Sequence, residues 1–136
     1  MESFCGDYKI SNNKDLISVD RVCDLLSKSY WANQRSKEKV EVSIKNSICI
    51  GVYDKEIMIG FARIVTDYAT MYWLCDVIID EEYQGNGLGK KLIKYITEME
   101  ELKGMFGILA TRDAHGLYEK YGFKREPEKY MRRNAD

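Results

Sequence analysis

Asp76-Val77-Ile78-Ile79-Asp80-Glu81-Glu82-Tyr83-Gln84-Gly85-Asn86-Gly87-Leu88-Gly89-Lys90-Lys91 is the run of residues on which the reading of this chain turns. It begins apolar, crosses an acidic segment and a loop with three glycines, and ends where the hydrophobic period changes. Upstream, residues 71–79 are apolar at consecutive positions, the pattern of a central strand covered on both faces. Downstream, Leu88, Leu92, Ile96 and Met99 recur at helical spacing with Ile93 alongside. That predicts an amphipathic helix from Gly87 to about Lys103-Gly104. Glycines allow tight turns and close approach of a ligand to the backbone. The first N–H groups of a helix have no internal partner, and with the helix dipole they make an anion site, typically for phosphate. Lys90 and Lys91 add positive charge.

Spacing excludes two phosphate loops. A Walker A loop needs Ser or Thr after its Gly-Lys and an earlier glycine five residues before the second. Here Lys91 follows Gly89-Lys90, and position 84 is Gln. The dinucleotide fingerprint Gly-x-Gly-x-x-Gly fails as well, because the glycines alternate and position 90 is Lys.

On either side of this run the chain reads as a mixed α/β domain. Residues 8–11 suit a short strand. Residues 19–30 suit a helix with Val22, Leu25, Leu26 and Ser29 near one face and Asp20 as its cap. Residues 36–46 suit a second helix carrying Val40 and Ile44. Strands over 48–53 and 56–66 form a hairpin about Asp54-Lys55, and a turn at 67–69 leads into the central strand. After the long helix, residues 105–110 suit another strand. Asp113 is placed to cap a short helix through Tyr121, with Gly122 as its stop. A last strand is expected from Phe123. The expected order is β-α-α-β-β-β-α-β-α-β.

Composition bounds the function. With 136 residues, 45% apolar and 32% charged, residues 1–136 are expected to form a single globular domain. The net charge of −1 speaks against a nucleic-acid partner. No apolar run approaches the ~18 residues of a membrane span, and residues 1–7 lack a signal region. Cys5, Cys23, Cys49 and Cys75 include no Cys-x-x-Cys pair, and His115 is the sole histidine, so no structural zinc site or other metal site is expected. Reduced, mostly core cysteines in a cytoplasmic protein are the expectation. The Tyr130-Met131-Arg132-Arg133 segment leaves a homodimer open.

The spacing Gln84-x-x-Gly87-x-Gly89 resembles the acetyl-CoA pyrophosphate loop, Gln/Arg-x-x-Gly-x-Gly/Ala, of the GNAT superfamily of N-acetyltransferases. The stretch from Ala114 through Leu117-Tyr118-Glu119-Lys120-Tyr121-Gly122-Phe123 resembles the superfamily's second signature, Ala-x-x-Leu-Tyr-x-x-x-Gly-Phe. The two stand in the right order, and the strand order matches along roughly residues 8–123.

The resemblance implies a GNAT-like mixed, largely antiparallel central sheet flanked by helices, with splayed central strands. It implies acetyl-CoA as co-substrate. The pantothenyl arm would pair with the backbone of Val77, Ile78 and Ile79. The pyrophosphate would rest on the loop formed by Gln84, Gly85, Asn86, Gly87, Leu88, Gly89 and Lys90, with Leu88 a core anchor. Thr111 stands where many relatives have an asparagine that touches the pantetheine arm. The implied reaction is direct attack of a neutral amine on the thioester. Tyr118 matches the tyrosine that protonates the departing sulfur; its ordinary pKa of ~10 keeps it a donor at neutral pH. Asp76, isolated among apolar neighbours, is expected as the base; its other reading is a structural carboxylate paired with an arginine such as Arg63. His115 is a weaker candidate for moving a proton. A Cys75–His115 nucleophilic pair would need contact that nothing in the sequence places there.

Tyr30-Trp31 and Tyr72-Trp73 are candidates for the acceptor pocket or for packing. Asp76, Asp80, Glu81 and Glu82 either favour a cationic amine or form a solvated loop. The expectation is acetyl transfer to the primary amine of a small molecule. The alternatives are a protein N-acetyltransferase and a non-catalytic acyl-CoA-binding module.

Overall fold

Apolar residues run almost unbroken through β3 (Ile48–Asp54) and β4 (Ile57–Thr66) because both faces of the sheet are covered. The structure, a computed structural model, describes residues 1–135. It contains one open six-stranded sheet in sequence order, completed by β1 (Glu2–Cys5), β2 (Tyr8–Ser11), β5 (Met71–Ile79) and β6 (Phe106–Leu109). Each pair is antiparallel except β5–β6, which is parallel. A parallel pair needs a crossover, and α3 (Leu88–Thr97) supplies it.

Helices cover the two faces. On one, α3 buries Leu88, Leu92, Ile93 and Ile96 against Ile50, Ile59 and Ile64. On the other, α1 (Val19–Leu26) and α2 (Lys37–Lys45) bury Val22, Leu25, Val40 and Ile44 against Cys49, Met58 and Phe61. The mixed, mostly antiparallel architecture is the one expected.

Several element bounds differ from expectation. Ser18 caps α1, its side chain accepting from the Arg21 N–H, and Ser36 caps α2 in the same way on Lys39; Asp20 lies inside α1. That helix stops at Leu26 instead of running to Tyr30. The Ser27 and Ser29 hydroxyls donate to the carbonyls of Asp24 and Leu26, which turns the chain out of the helix. Helix α3 ends at Thr97, and a 3-10 turn at Glu100–Leu102 finishes the crossover. The cap of α4 (His115–Glu119) is Ala114, not Asp113. Strand β1 was unforeseen. No strand follows Phe123 among the described residues.

Two irregularities open the sheet. Phe61 pairs with Ile78 and Arg63 with Cys75, so Ala62 stands opposite both Asp76 and Val77. This is a β-bulge, and Asp76 carries it with φ +53°, a region that aspartate enters more readily than most residues. Meanwhile β6 pairs with β5 only along Met71, Tyr72, Trp73 and Leu74. Beyond Leu74 the two strands part, and residues 75–79, paired with β4 on one side, present on the other an edge with no strand among the described residues.

Candidate active site

The turn from β5 into α3 is built by side chains that fold back on it. The Asp80 carboxylate accepts from the Glu82 N–H and from Arg21. The Gln84 amide donates to the Ile79 carbonyl and the Asn86 amide to the Tyr83 carbonyl. Gly85 and Gly87 take φ of +88° and +72°, which other residues resist. Gly87 is the N-cap of α3 and offers no side-chain cap. Consequently none of the backbone N–H groups of residues 85–90 donates a hydrogen bond among the described residues, and the ladder resumes at Lys91 bonding to the Gly87 carbonyl. A Cβ placed on Gly85, Gly87 or Gly89 would meet no atom within 4 Å, so the space before these donors is open. Leu88 is buried beneath them as an anchor, and Lys90 is exposed beside them.

Asp76 lies on the neighbouring bulge, only 4% exposed. Its Oδ2 accepts from Arg35 Nη1 at 2.7 Å and from Arg63 Nε at 2.8 Å, and its Oδ1 accepts from Trp31 Nε1 at 3.0 Å. Burial alone would raise its pKa. The hydrogen bonds and charges of Arg35 and Arg63 outweigh that, and the carboxyl sits below its ordinary value.

Two cavities of about 550 Å³ each flank the parted strands. The first is lined by Val77, Ile78, Ile79 and Gln84, with Arg21 and Lys28 across from them. The second lies over Cys75 and Asp76 and is lined by Trp73, Thr111, Tyr118 and Tyr130. Tyr30, Trp31, Val77 and Asp113 belong to both. A bridge forms above: the Tyr30 hydroxyl accepts from the Arg112 N–H at 3.3 Å, and the Arg112 guanidinium lies 3.7 Å from the centre of the Tyr30 ring.

Tyr118 is buried, its ring set edge-on to Phe123. Its hydroxyl makes no hydrogen bond among the described residues, and burial, aided by Tyr30 and Asp113, pushes its pKa up to about 12. The Thr111 hydroxyl accepts from the Ala114 N–H, so it shapes the turn into α4. His115 begins α4 and lines neither cavity. Burial raises the Cys75 thiol to about 11, and it donates to the Arg63 carbonyl, the state of a resting thiol rather than a nucleophile. All four cysteines are free, and no His/Cys/Asp/Glu group suited to a metal ion occurs among the described residues.

A family model described as an acetyltransferase (GNAT) domain matches residues 45–125. The chain belongs to the GNAT acetyltransferase family. Its relatives include the uncharacterized N-acetyltransferase ycf52 of Pyropia yezoensis, 30% identical over 90% of this chain and 73% of the relative. The histone acetyltransferase TAP1 of Glycine max is 28% identical over 89% of this chain and 57% of its own length. Among solved structures, a protein of Xanthomonas campestris pv. campestris assigned to the GNAT family as an acetyltransferase superposes with a TM-score of 0.89. It is 32% identical and covers 94% of this chain and 93% of itself. No helix of this GNAT acetyltransferase is long and apolar enough to cross a membrane among the described residues.

Sequence reasoning missed Arg35, Arg112 and Arg132 at the site. No local pattern marks them: Arg35 follows a polar turn, and Arg132 lies in a charged tail. They meet only because two loops and the C-terminal segment converge over β5.

Proposed function

We propose that the chain transfers the acetyl group of acetyl-CoA to the primary amine of a small molecule, by direct attack with both substrates bound. The observation that carries this reading is the row of unpaired N–H groups on residues 85–90. Such a row, at a helix N-terminus with no side-chain cap, suits a pyrophosphate. The open edge of β5 at Val77, Ile78 and Ile79 suits an amide-bearing arm that pairs like an added strand. In this reading Gly85, Gly87 and Gly89 leave room, Gln84 and Asn86 hold the loop's shape, Leu88 anchors it, and Lys90 adds charge. Thr111 holds its turn through its hydroxyl oxygen, which accepts from the Ala114 N–H and leaves its O–H free to donate.

The amine enters through the second cavity and must arrive neutral. Its nitrogen forms a bond to the carbonyl carbon as the carbon–sulfur bond breaks. The nitrogen, made acidic by bond formation, gives up a proton, and the sulfur takes one. Tyr118 remains a phenol at every working pH because its pKa is raised. A phenol that weakly acidic is a better hydrogen-bond donor to the developing thiolate than a full proton source. It passes a proton to sulfur only as it receives one released from nitrogen. Asp76 takes a different part from the proton acceptance expected of it: its oxygens hold Trp31, Arg35 and Arg63 in place.

A cavity of about 550 Å³ falls within the ordinary span of small-molecule sites, and Tyr30 and Arg112, in contact with each other, narrow it on one side. Both features favour a small acceptor over a protein tail.

Release of the CoA thiol over a panel of amines tests the reaction. Turnover is expected in the wild type. Tyr118→Phe should lower kcat roughly 10²-fold while acetyl-CoA affinity holds. An unchanged kcat would remove Tyr118 from the mechanism. Acetyl-CoA binding without thiol release for any amine would favour the acyl-CoA-binding module.

A further inference from the structure

The charges around the second cavity are unbalanced. Arg35, Arg63, Arg112 and Arg132 line it, against Asp76 and Asp113. Asp76 is consumed by Arg35 and Arg63, with N···O distances of 2.7 and 2.8 Å. Arg112, Arg132 and Asp113 form no ion pair among the described residues, so the one free carboxylate leaves the cavity with an excess of positive charge. The Arg112 guanidinium lies 3.7 Å from the centre of the Tyr30 ring, and its side-chain N–H groups make no hydrogen bond among the described residues. Arg35 uses only Nη1 on Asp76. The acidic run that could have drawn a cation lies elsewhere: Asp80 pairs with Arg21 at the first cavity, and Glu81 lines that cavity too. Trp73 and Tyr130, which also line the cavity, stack with ring centres 6.2 Å apart and add apolar surface to it.

From this we infer that the acceptor is a small primary amine that also bears an oxyanion, a carboxylate or a phosphate, gripped by Arg132 and Arg112. The inference rests on the acetyl-transfer reading and names its substrate class. Planar guanidinium groups bind carboxylate and phosphate through paired hydrogen bonds. A dicationic amine would meet two unneutralised arginines and be repelled. The same positive field favours the neutral form of the bound amine, the form that attacks. It thereby supplies part of what a dedicated carboxylate base would otherwise do.

The test uses matched acceptors. The full chain saturated with CoA is titrated calorimetrically with phenylalanine and 2-phenylethylamine, with glucosamine 6-phosphate and glucosamine, and with putrescine. The expected result is that the anionic member of at least one pair binds about tenfold or more tightly than its partner, and putrescine weakest. The carboxylate and phosphate pairs identify which oxyanion is recognised. Arg132→Gln should shrink that preference to about threefold or less, with CoA affinity and melting temperature unchanged. Arg112→Gln, which also loosens the contact with Tyr30, serves as the second variant. Equal binding within both pairs, no binding of either anionic member, tighter binding of putrescine, or a preference untouched in both variants would overturn the inference. Absence of CoA binding would sink the acetyl-CoA reading and this inference with it. CoA binding without anion preference would sink this inference alone.

Discussion

Tyr53 buries a hydroxyl that has no hydrogen-bond partner among the described residues. Leaving such a group unpaired costs about 1–3 kcal/mol, so Tyr53→Phe should stabilise the fold by about 1 kcal/mol after allowance for the small void. Denaturant unfolding would show this as a higher midpoint at unchanged slope; a lower midpoint would mean that the hydroxyl has a partner in solution. Asp76 predicts the opposite sign. Removing its charge leaves Arg35 and Arg63 uncompensated, and Asp76→Asn should cost about 2–4 kcal/mol, toward the lower part of the range for a broken buried pair because both arginines keep some solvent. Its pKa is depressed in the fold. The unfolded chain therefore takes the proton first as pH falls. The stabilisation is complete above the ordinary carboxylate pKa of ~3.9 and is lost as pH drops through the lower folded value. Unfolding curves at neutral and acid pH should show Asp76→Asn flattening this acid dependence. The pairing of Asp76 with Arg63 was legible, since a lone carboxylate among apolar residues demands a partner. Trp31 and Arg35 were not, because they arrive from 45 and 41 positions away.

Helix α3 and its loop were read most fully, because one continuous segment carries both the helical period and the glycines. The apolar period sets the buried face, and the glycines set the exposed end. Leu92 is fully buried, and Leu92→Ala should cost about 2–5 kcal/mol, checked by thermal or denaturant unfolding. Gly89 has no positive φ and faces open space, so Gly89→Trp should leave the melting temperature nearly unchanged while filling the proposed pyrophosphate site. Elements set by hydroxyl chemistry were harder to bound. The seryl bonds that end α1 at Leu26 compete with a helical period that continues to Ser29. Strand β1 had an overlooked signal, the Gly6-Asp7 pair between two short strand-like runs, with Gly6 at φ +60°. The strand expected after Phe123 meets Pro127, which has no N–H to offer a ladder, and a dense run of charge. Tyr130 stacks on Trp73 instead, and the segment becomes a wall of the second cavity.

At the scale of the molecule, the sheet does two jobs. Helices cover both its faces, and the parting of β5 from the edge strand β6 makes a cleft at that end of the sheet, where the two cavities meet. Mixed class and layer order were legible from periodicity and the two signatures. The charge of the second cavity was not, because it depends on which side chains three separate segments bring to one place. The most direct measurement is calorimetric titration of the wild-type chain and of Gly89→Trp with acetyl-CoA, with melting curves for both. The account predicts saturable binding by the wild type, with a ligand-dependent rise in melting temperature. It also predicts at least a roughly 100-fold weaker Kd for Gly89→Trp, about 2.7 kcal/mol, at the same unliganded melting temperature. A wild-type chain that does not bind acetyl-CoA, or a folded Gly89→Trp chain that binds it equally well, would contradict it.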